Sequence, residues 1–216
     1  MREVLETELQ NALNTTLEMI DKVRDNLMLA GRTLLEGRGE LLEGVQNADK
    51  IIDDLEHTLE SDCLRIIALH QPVAVDLRLV GALLKSATDL ERMGDYAVHV
   101  AVDATRLAQE SPLKKYINLG SMIRNLDAML LQLRLAVQKR DVDLVRATHK
   151  LDDEVDDLYE QVQRELVTYM IEDPRTISKS MTLLRVGRSL ERFGDHIENM
   201  AERVEYWLTG ERTLQN

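Results

Sequence analysis

The chain has 216 residues and a mass of 24.7 kDa, and its 27 Lys and Arg against 39 Asp and Glu give a formal charge of −12. Such a field repels nucleic acid and anionic headgroups, which removes both as expected partners. Aromatics at 3%, one cysteine and three prolines also exclude stacking platforms for single strands, an internal disulfide, a zinc ribbon and a turn-rich β-sandwich.

The first helix is expected near 3–36, where Leu13, Leu17, Ile20, Val23, Leu27, Ala30 and Leu34 step by three or four. Gly37-Arg38-Gly39 breaks it. A second helix near 41–70 carries Cys63 as a small core residue and stops at Gln71-Pro72. A third, near 73–109, runs to Ser111-Pro112, a capping serine directly before a proline at the first helical position. That pattern starts the fourth helix at 113 and carries it to 139, with Leu119, Ile123, Leu126, Leu130, Leu133 and Val137 on one face. Arg140-Asp141 separates it from a fifth, near 142–172. Asp173-Pro174 repeats the cap and proline before a sixth at 175–208, striped by Leu183, Val186, Leu190, Ile197, Ala201, Val204 and Leu208. No window alternates as a strand does. No apolar run approaches the roughly 20 residues of a membrane helix, and the first thirty residues are acidic without a signal-peptide pattern, so a cytoplasmic protein is expected. Long helices joined by short connections pack antiparallel, as elongated up-and-down bundles.

The chain also repeats itself. Leu90-Glu91-Arg92-Met93-Gly94-Asp95 recurs 100 residues later as Leu190-Glu191-Arg192-Phe193-Gly194-Asp195. Upstream, Ile52-Asp53-Asp54-Leu55 is answered by Val155-Asp156-Asp157-Leu158, and Pro72 by Pro174. The expected architecture is therefore all-α, with six long helices in two pseudo-symmetric three-helix bundles, residues 1–111 and 112–216.

Each half carries two acidic pairs spaced i, i+4: Asp49/Asp53 and Glu91/Asp95, then Asp152/Asp156 and Glu191/Asp195. That spacing sets both carboxylates on one face about 6 Å apart, where like charges weaken a helix unless a cation, proton or basic partner relieves them. Two facing helices giving two carboxylates each make an oxygen-rich site for magnesium, manganese, iron, calcium or zinc. The plainer alternative is solvated surface, since each pair lies one residue off its apolar stripe, with Arg92 and Arg192 as salt-bridge partners. On the third helix Glu91 and Asp95 align with Leu84, Ala87, Val98 and Val102, and a carboxylate on so apolar a helix needs a partner. On the sixth the same line continues to Glu198 and Glu202, which read as more exposed. None of the five histidines completes the Glu-x-x-His of a ferritin-like di-iron site; His57 and His99 read as auxiliary ligands or as surface residues. Gly94 and Gly194, each costing about 1 kcal/mol in helix propensity, point to close helix contact.

The sequence holds no Gly-x-x-x-x-Gly-Lys loop, no Gly-x-Ser-x-Gly and no His-Glu-x-x-His, and an enzyme is not expected. Four segments, Gln71-Pro72-Val73-Ala74-Val75-Asp76-Leu77-Arg78, Thr88 to Asp95, Glu172-Asp173-Pro174-Arg175 and Leu190 to His196, resemble the PhoU family, accessory regulators of bacterial phosphate-specific transport. The resemblance covers nearly the whole chain. It implies two three-helix bundles whose acidic motifs hold iron, zinc or other metals, as clusters on the bundle surface, with Asp49, Asp53, Glu91, Asp95, Asp152, Asp156, Glu191 and Asp195 as the ligands. His196 and Asn199 follow the family pattern, whereas the first half has Tyr96 and His99 there. The resemblance further implies a peripheral position at the cytosolic face of the phosphate ABC transporter, in contact with its ATPase subunit and with a sensor histidine kinase. It implies restraint of uptake when phosphate is plentiful, no nucleic-acid partner and no membrane insertion, and it leaves a homodimer open. Two other classes stay open from the residues themselves: a metal-storage or metal-dependent hydrolytic protein, and a purely structural helical scaffold.

Overall fold

In the computed structural model, which describes residues 2–211, the chain forms six α-helices, and no strand occurs among the described residues. They are α1 (Arg2–Leu35), α2 (Leu42–His70), α3 (Ala74–Leu107), α4 (Ile117–Lys139), α5 (Val142–Glu172) and α6 (Ile177–Thr209). Single 3-10 turns precede α2, at Gly39–Leu41, and α6, at Pro174–Thr176. The apolar stripes produce this result directly. All six of the fourth-helix positions are buried, as are Leu13, Ile20, Val23, Leu27, Ala30 and Leu34 on α1. Fully burying such a side chain stabilises the fold by about 1.5–3 kcal/mol.

The proline positions act less simply than their local chemistry suggests. Asp173 does cap, accepting from the Arg175 N–H at 3.0 Å, but it caps the 3-10 turn that leads into α6. Gln71 closes α2 in the left-handed conformation (φ 47°), and α3 starts at Ala74. The fourth helix starts at Ile117, not at 113, and Ser111 does not cap it. Tertiary ties override the local signal there. The Ser111 carbonyl accepts from Lys179 Nζ at 2.7 Å, Lys114 pairs with Glu165, and Leu113 and Tyr116 pack on the core. Those anchors hold 111–116 out of helical register.

Helices α1, α2 and α3 pack on one another, and α4, α5 and α6 do the same. The two sets join where α3 lies along α6 and α1 along α4, so one hydrophobic core runs from Leu9 to Trp207. Charged residues border that junction. On the α1–α4 side the ties are reciprocal: Arg24 Nε donates to Asp127 at 2.8 Å and Arg134 Nε to Asp21 at 2.7 Å. On the α3–α6 side, buried Asp103 receives two N–H groups of Arg185 at 2.8 and 3.0 Å. Buried Asp89 meets Arg203, and its Oδ1 lies 3.0 Å from His196 Nδ1.

Candidate functional site

The duplicated acidic motifs fall on facing helices, α2 with α3 and α5 with α6. Gly94 and Gly194 determine how near they come. A Cβ at Gly94 would stand 2.6 Å from Asp49 Oδ1, and one at Gly194 would stand 3.0 Å from Asp152 Oδ1. The missing side chains thus open a notch in α3 and α6 that receives an aspartate from the neighbouring helix. The close contact expected of these glycines is present, and its object is a carboxylate.

Electrostatics record how the groups gather. Burial, then Asp53, Asp95 and Glu91, push the Asp49 carboxyl up to about 6. In the second half, burial, then Glu198, Asp156 and Asp195, push Asp152 to about 7. Asp53 and Asp156 are raised by burial and by the aspartate facing each, Asp95 and Asp195 respectively. Glu91 and Glu191 are raised by burial and by the same two aspartates, against the opposing pull of Arg92 and Arg192. Those arginines are the salt-bridge partners expected from the sequence, reaching Asp95 at 3.2 Å and Asp195 at 3.0 Å. They leave part of the inner edge bare: Asp49 Oδ1 is buried without a hydrogen-bond donor, and Glu191 Oε2 has only the 3.7 Å ion pair with Arg192.

All eight predicted residues are therefore brought together as two groups of four. They gather as electrostatic neighbours and not as a closed shell. Among the described residues, the one trio whose ligand atoms lie within 4.8 Å of each other is Glu56, His57 and Glu60, on the outer surface of α2. His57 is exposed there, and His99 is an exposed residue edge-on to Tyr96 at 5.8 Å. Donor chemistry nonetheless fits a hard or borderline cation: oxygen ligands only, half withdrawn from water, mutually repelling, with Asp49 Oδ1 orphaned on the inner edge.

The halves differ in a way that sequence reading missed. Glu198, set aside as more exposed, joins the second group and perturbs both Asp152 and Asp156. It lies 3.2 Å from His149 Nδ1 of α5. The available signal was its spacing, seven residues after Glu191 on one helical line, where the first half has Val98. Asp152, read as flanking the stripe, is itself buried. His196 turns away from the acids toward Asp89 and Tyr96, and burial holds it below the ordinary histidine range.

Two copies of one motif on two copies of one helical unit are what the comparisons return. The sequence model of the PhoU domain matches residues 16–104 and again 119–204. The chain belongs to the PhoU family. It is 57% identical to the "phosphate-specific transport system accessory protein PhoU homolog" of Deinococcus radiodurans over 98% of its length and 100% of that protein. With the Escherichia coli accessory protein PhoU it shares 33% identity, over 94% of this chain and 85% of the relative. The crystal structure of PhoU from Pseudomonas aeruginosa superposes with a TM-score of 0.92 at 36% identity, covering 95% of this chain and 99% of that one. PhoU from Streptococcus pneumoniae gives 0.90 at 27% identity, over 98% and 100%. The all-α, six-helix architecture expected from the periodicity and repeats, and the PhoU fold implied by the resemblance, are thus the observed ones. No helix among the described residues is long and apolar enough to cross a membrane.

Proposed function

We propose that this PhoU-family chain is a non-enzymatic negative regulator of phosphate uptake, a cytoplasmic helical adaptor between the phosphate ABC transporter's ATPase subunit and a sensor histidine kinase. The observation that carries the reading is likeness along the entire chain to relatives named as accessory proteins of the phosphate-specific transport system. Acids set in two groups by the internal repeat, on a chain whose relatives are named accessory proteins, support an adaptor over a catalyst. Residues 1–111 and 112–216 act as two docking bodies, one for each partner.

Asp49, Asp53, Glu91 and Asp95 would hold metal in the first body, and Asp152, Asp156, Glu191 and Asp195 in the second, with iron or zinc the leading ions. A bound cation would supply charge neutralisation. The chain's own contribution is the pair of glycine notches, which seat Asp49 and Asp152 against α3 and α6. Metal then fixes the relative pitch of the two helices in each pair, and partners read those faces.

The test is affinity purification from phosphate-replete cells with identification of bound proteins, for the natural chain and for Glu91→Ala with Asp95→Ala. Recovery of the transporter ATPase or a histidine kinase, reduced in the variant along with metal content, is the expected outcome. Recovery of neither partner would sink the adaptor reading. Unchanged metal content and unchanged repression in the variant would sink the metal role alone.

A further inference from the structure

Against a net charge of −12, one stretch of the surface gathers six basic side chains. Past Arg192, the groove between α3 and α6 opens into two adjoining cavities of about 530 Å³ each, sharing Arg106 and Arg185 as a common wall. Arg188 and Arg192 line the first, beside Tyr96 and His99, while Arg175 and Lys179 line the second. Asp103 and Glu110 are the acids in those walls, and at their rims Asp173 pairs with Arg175 at 2.9 Å and Asp195 with Arg192 at 3.0 Å. Glu110 pairs with Lys179 at 3.0 Å. Asp103, whose side chain is only 10% exposed, takes Nε and Nη2 of Arg185 at 3.0 and 2.8 Å and Nη1 of Arg106 at 3.3 Å.

We infer that this trough binds ligands carrying two or more linked phosphate groups. The buried Asp103 orders two guanidinium groups side by side while engaging one edge of each, so the ordering of a phosphate clamp precedes the ligand. Arg188 is exposed and makes no ion pair among the described residues. From Lys179 to Arg188 along α6 the charges span about 13 Å at 1.5 Å per residue, more than one phosphate ion covers. The repeat accounts for part of this charge, Arg185 being answered by Lys85 and Arg192 by Arg92, but not for the rest. At positions related by the 100-residue repeat, Arg106 is answered by Tyr206 and Arg188 by Thr88. The trough borders the second carboxylate group, since Arg192 pairs with Asp195 at 3.0 Å and Arg188 acts on Glu191, so its binding is measured without metal.

Calorimetric titration of the full chain with inorganic tripolyphosphate, in EDTA and about 0.15 M salt where surface charges are screened beyond about 8 Å, tests the inference. Saturable binding is expected, with orthophosphate at least about tenfold weaker, and with Arg188→Ala and Arg106→Ala each losing about tenfold, one charge-assisted contact apiece. Arg185→Lys, which keeps the charge and loses the fork, weakens binding while thermal melts confirm an intact fold. ADP and ATP distinguish the source: tighter binding than the inorganic chains identifies a nucleotide, and equal binding identifies the phosphates alone. Absence of saturable binding overturns the inference. So does orthophosphate binding as tightly as tripolyphosphate, binding seen only when EDTA is omitted, or undiminished binding in the Arg106→Ala, Arg188→Ala double variant.

Discussion

Gly94 is the residue on which the first carboxylate group turns. Alanine there would gain about 1 kcal/mol of helix propensity but would place Cβ 2.6 Å from Asp49 Oδ1, at the free end of a side chain that can swing aside. Gly94→Ala is therefore expected to leave the urea midpoint nearly unchanged and to lower metal affinity at the first group by tenfold or more. Titration of metal into the purified variant measures it. Gly194→Ala should behave alike: its Cβ would stand 3.0 Å from Asp152 Oδ1 and 3.3 Å from buried Leu126 Cδ2, as that of Gly94→Ala would stand 3.3 Å from buried Ile52 Cδ1, and in both the tight core contact offsets the gain in helix propensity. Asp49 and Asp152 make a second case. Their folded-state values, about 6 and about 7, lie above the ordinary aspartate value of about 3.9. The folded chain therefore holds more protons than the unfolded one between about pH 4 and 7. Stability of the metal-free chain contributed by these two groups is fully present at the acid end and is lost as pH rises through that window. His196, held low by burial, works in the opposite direction. Comparing the natural chain with Asp49→Asn plus Asp152→Asn isolates the aspartates. The variant should melt about 2–4 °C higher at pH 8, lose most of that advantage at pH 5, and bind no metal. Equal melting shifts at both pH values would refute the assignment.

Between helices, the ties of α3 to α6 and of α1 to α4 differ in what they leave behind when cut. Removing the Arg185 side chain strands Asp103, a carboxylate only 10% exposed, with Arg106 as its remaining partner. Arg134 and Asp21 are 26% and 41% exposed, and water replaces the lost bond. Arg185→Ala should cost about 1.5–3 kcal/mol and Arg134→Ala under about 1 kcal/mol, read from urea denaturation. The helices themselves were legible from one sequence because each carries a 3.6-residue apolar period long enough to exclude a strand. Where the period met a cap and a proline, the result depended on distance contacts. Asp173 sits against its own turn and caps as its chemistry predicts. Ser111 lies where Lys179, from 68 residues away, claims its carbonyl, and no local rule encodes that. The acidic pairs were legible for a similar reason, being spaced by one helical turn and present twice. Glu198 was not, because its first-half counterpart is Val98 and the repeat gave no prompt. The partner that brings it inward, His149, is on another helix.

Across the whole molecule the core is continuous, and Trp207 samples the junction. It is buried on α6, beside Leu9 and Leu13 of α1 and Leu79 of α3, with Arg140 5.7 Å above its ring. Unfolding followed by Trp207 emission and by helix circular dichroism should therefore coincide in one urea transition. Two separated transitions would show that the halves melt independently. Chelation should move the common midpoint without removing helical signal, because the carboxylates flank a core that they do not build. The connection 108–116, outside any α-helix and exposed at 108–112, joins the two halves. Beyond that connection, they are united by the hold of Lys179 on Glu110 and Ser111 and by lateral contact of α3 with α6 and of α1 with α4. In physical terms the two helix sets resemble unlike subunits joined by a tether, whose main contribution is effective concentration, in the millimolar range for short links. A single proteolytic cut at Glu110 should leave one particle at micromolar concentration, its fragments parting only on dilution, and gel filtration of the nicked chain at two concentrations would measure how tightly the halves choose each other.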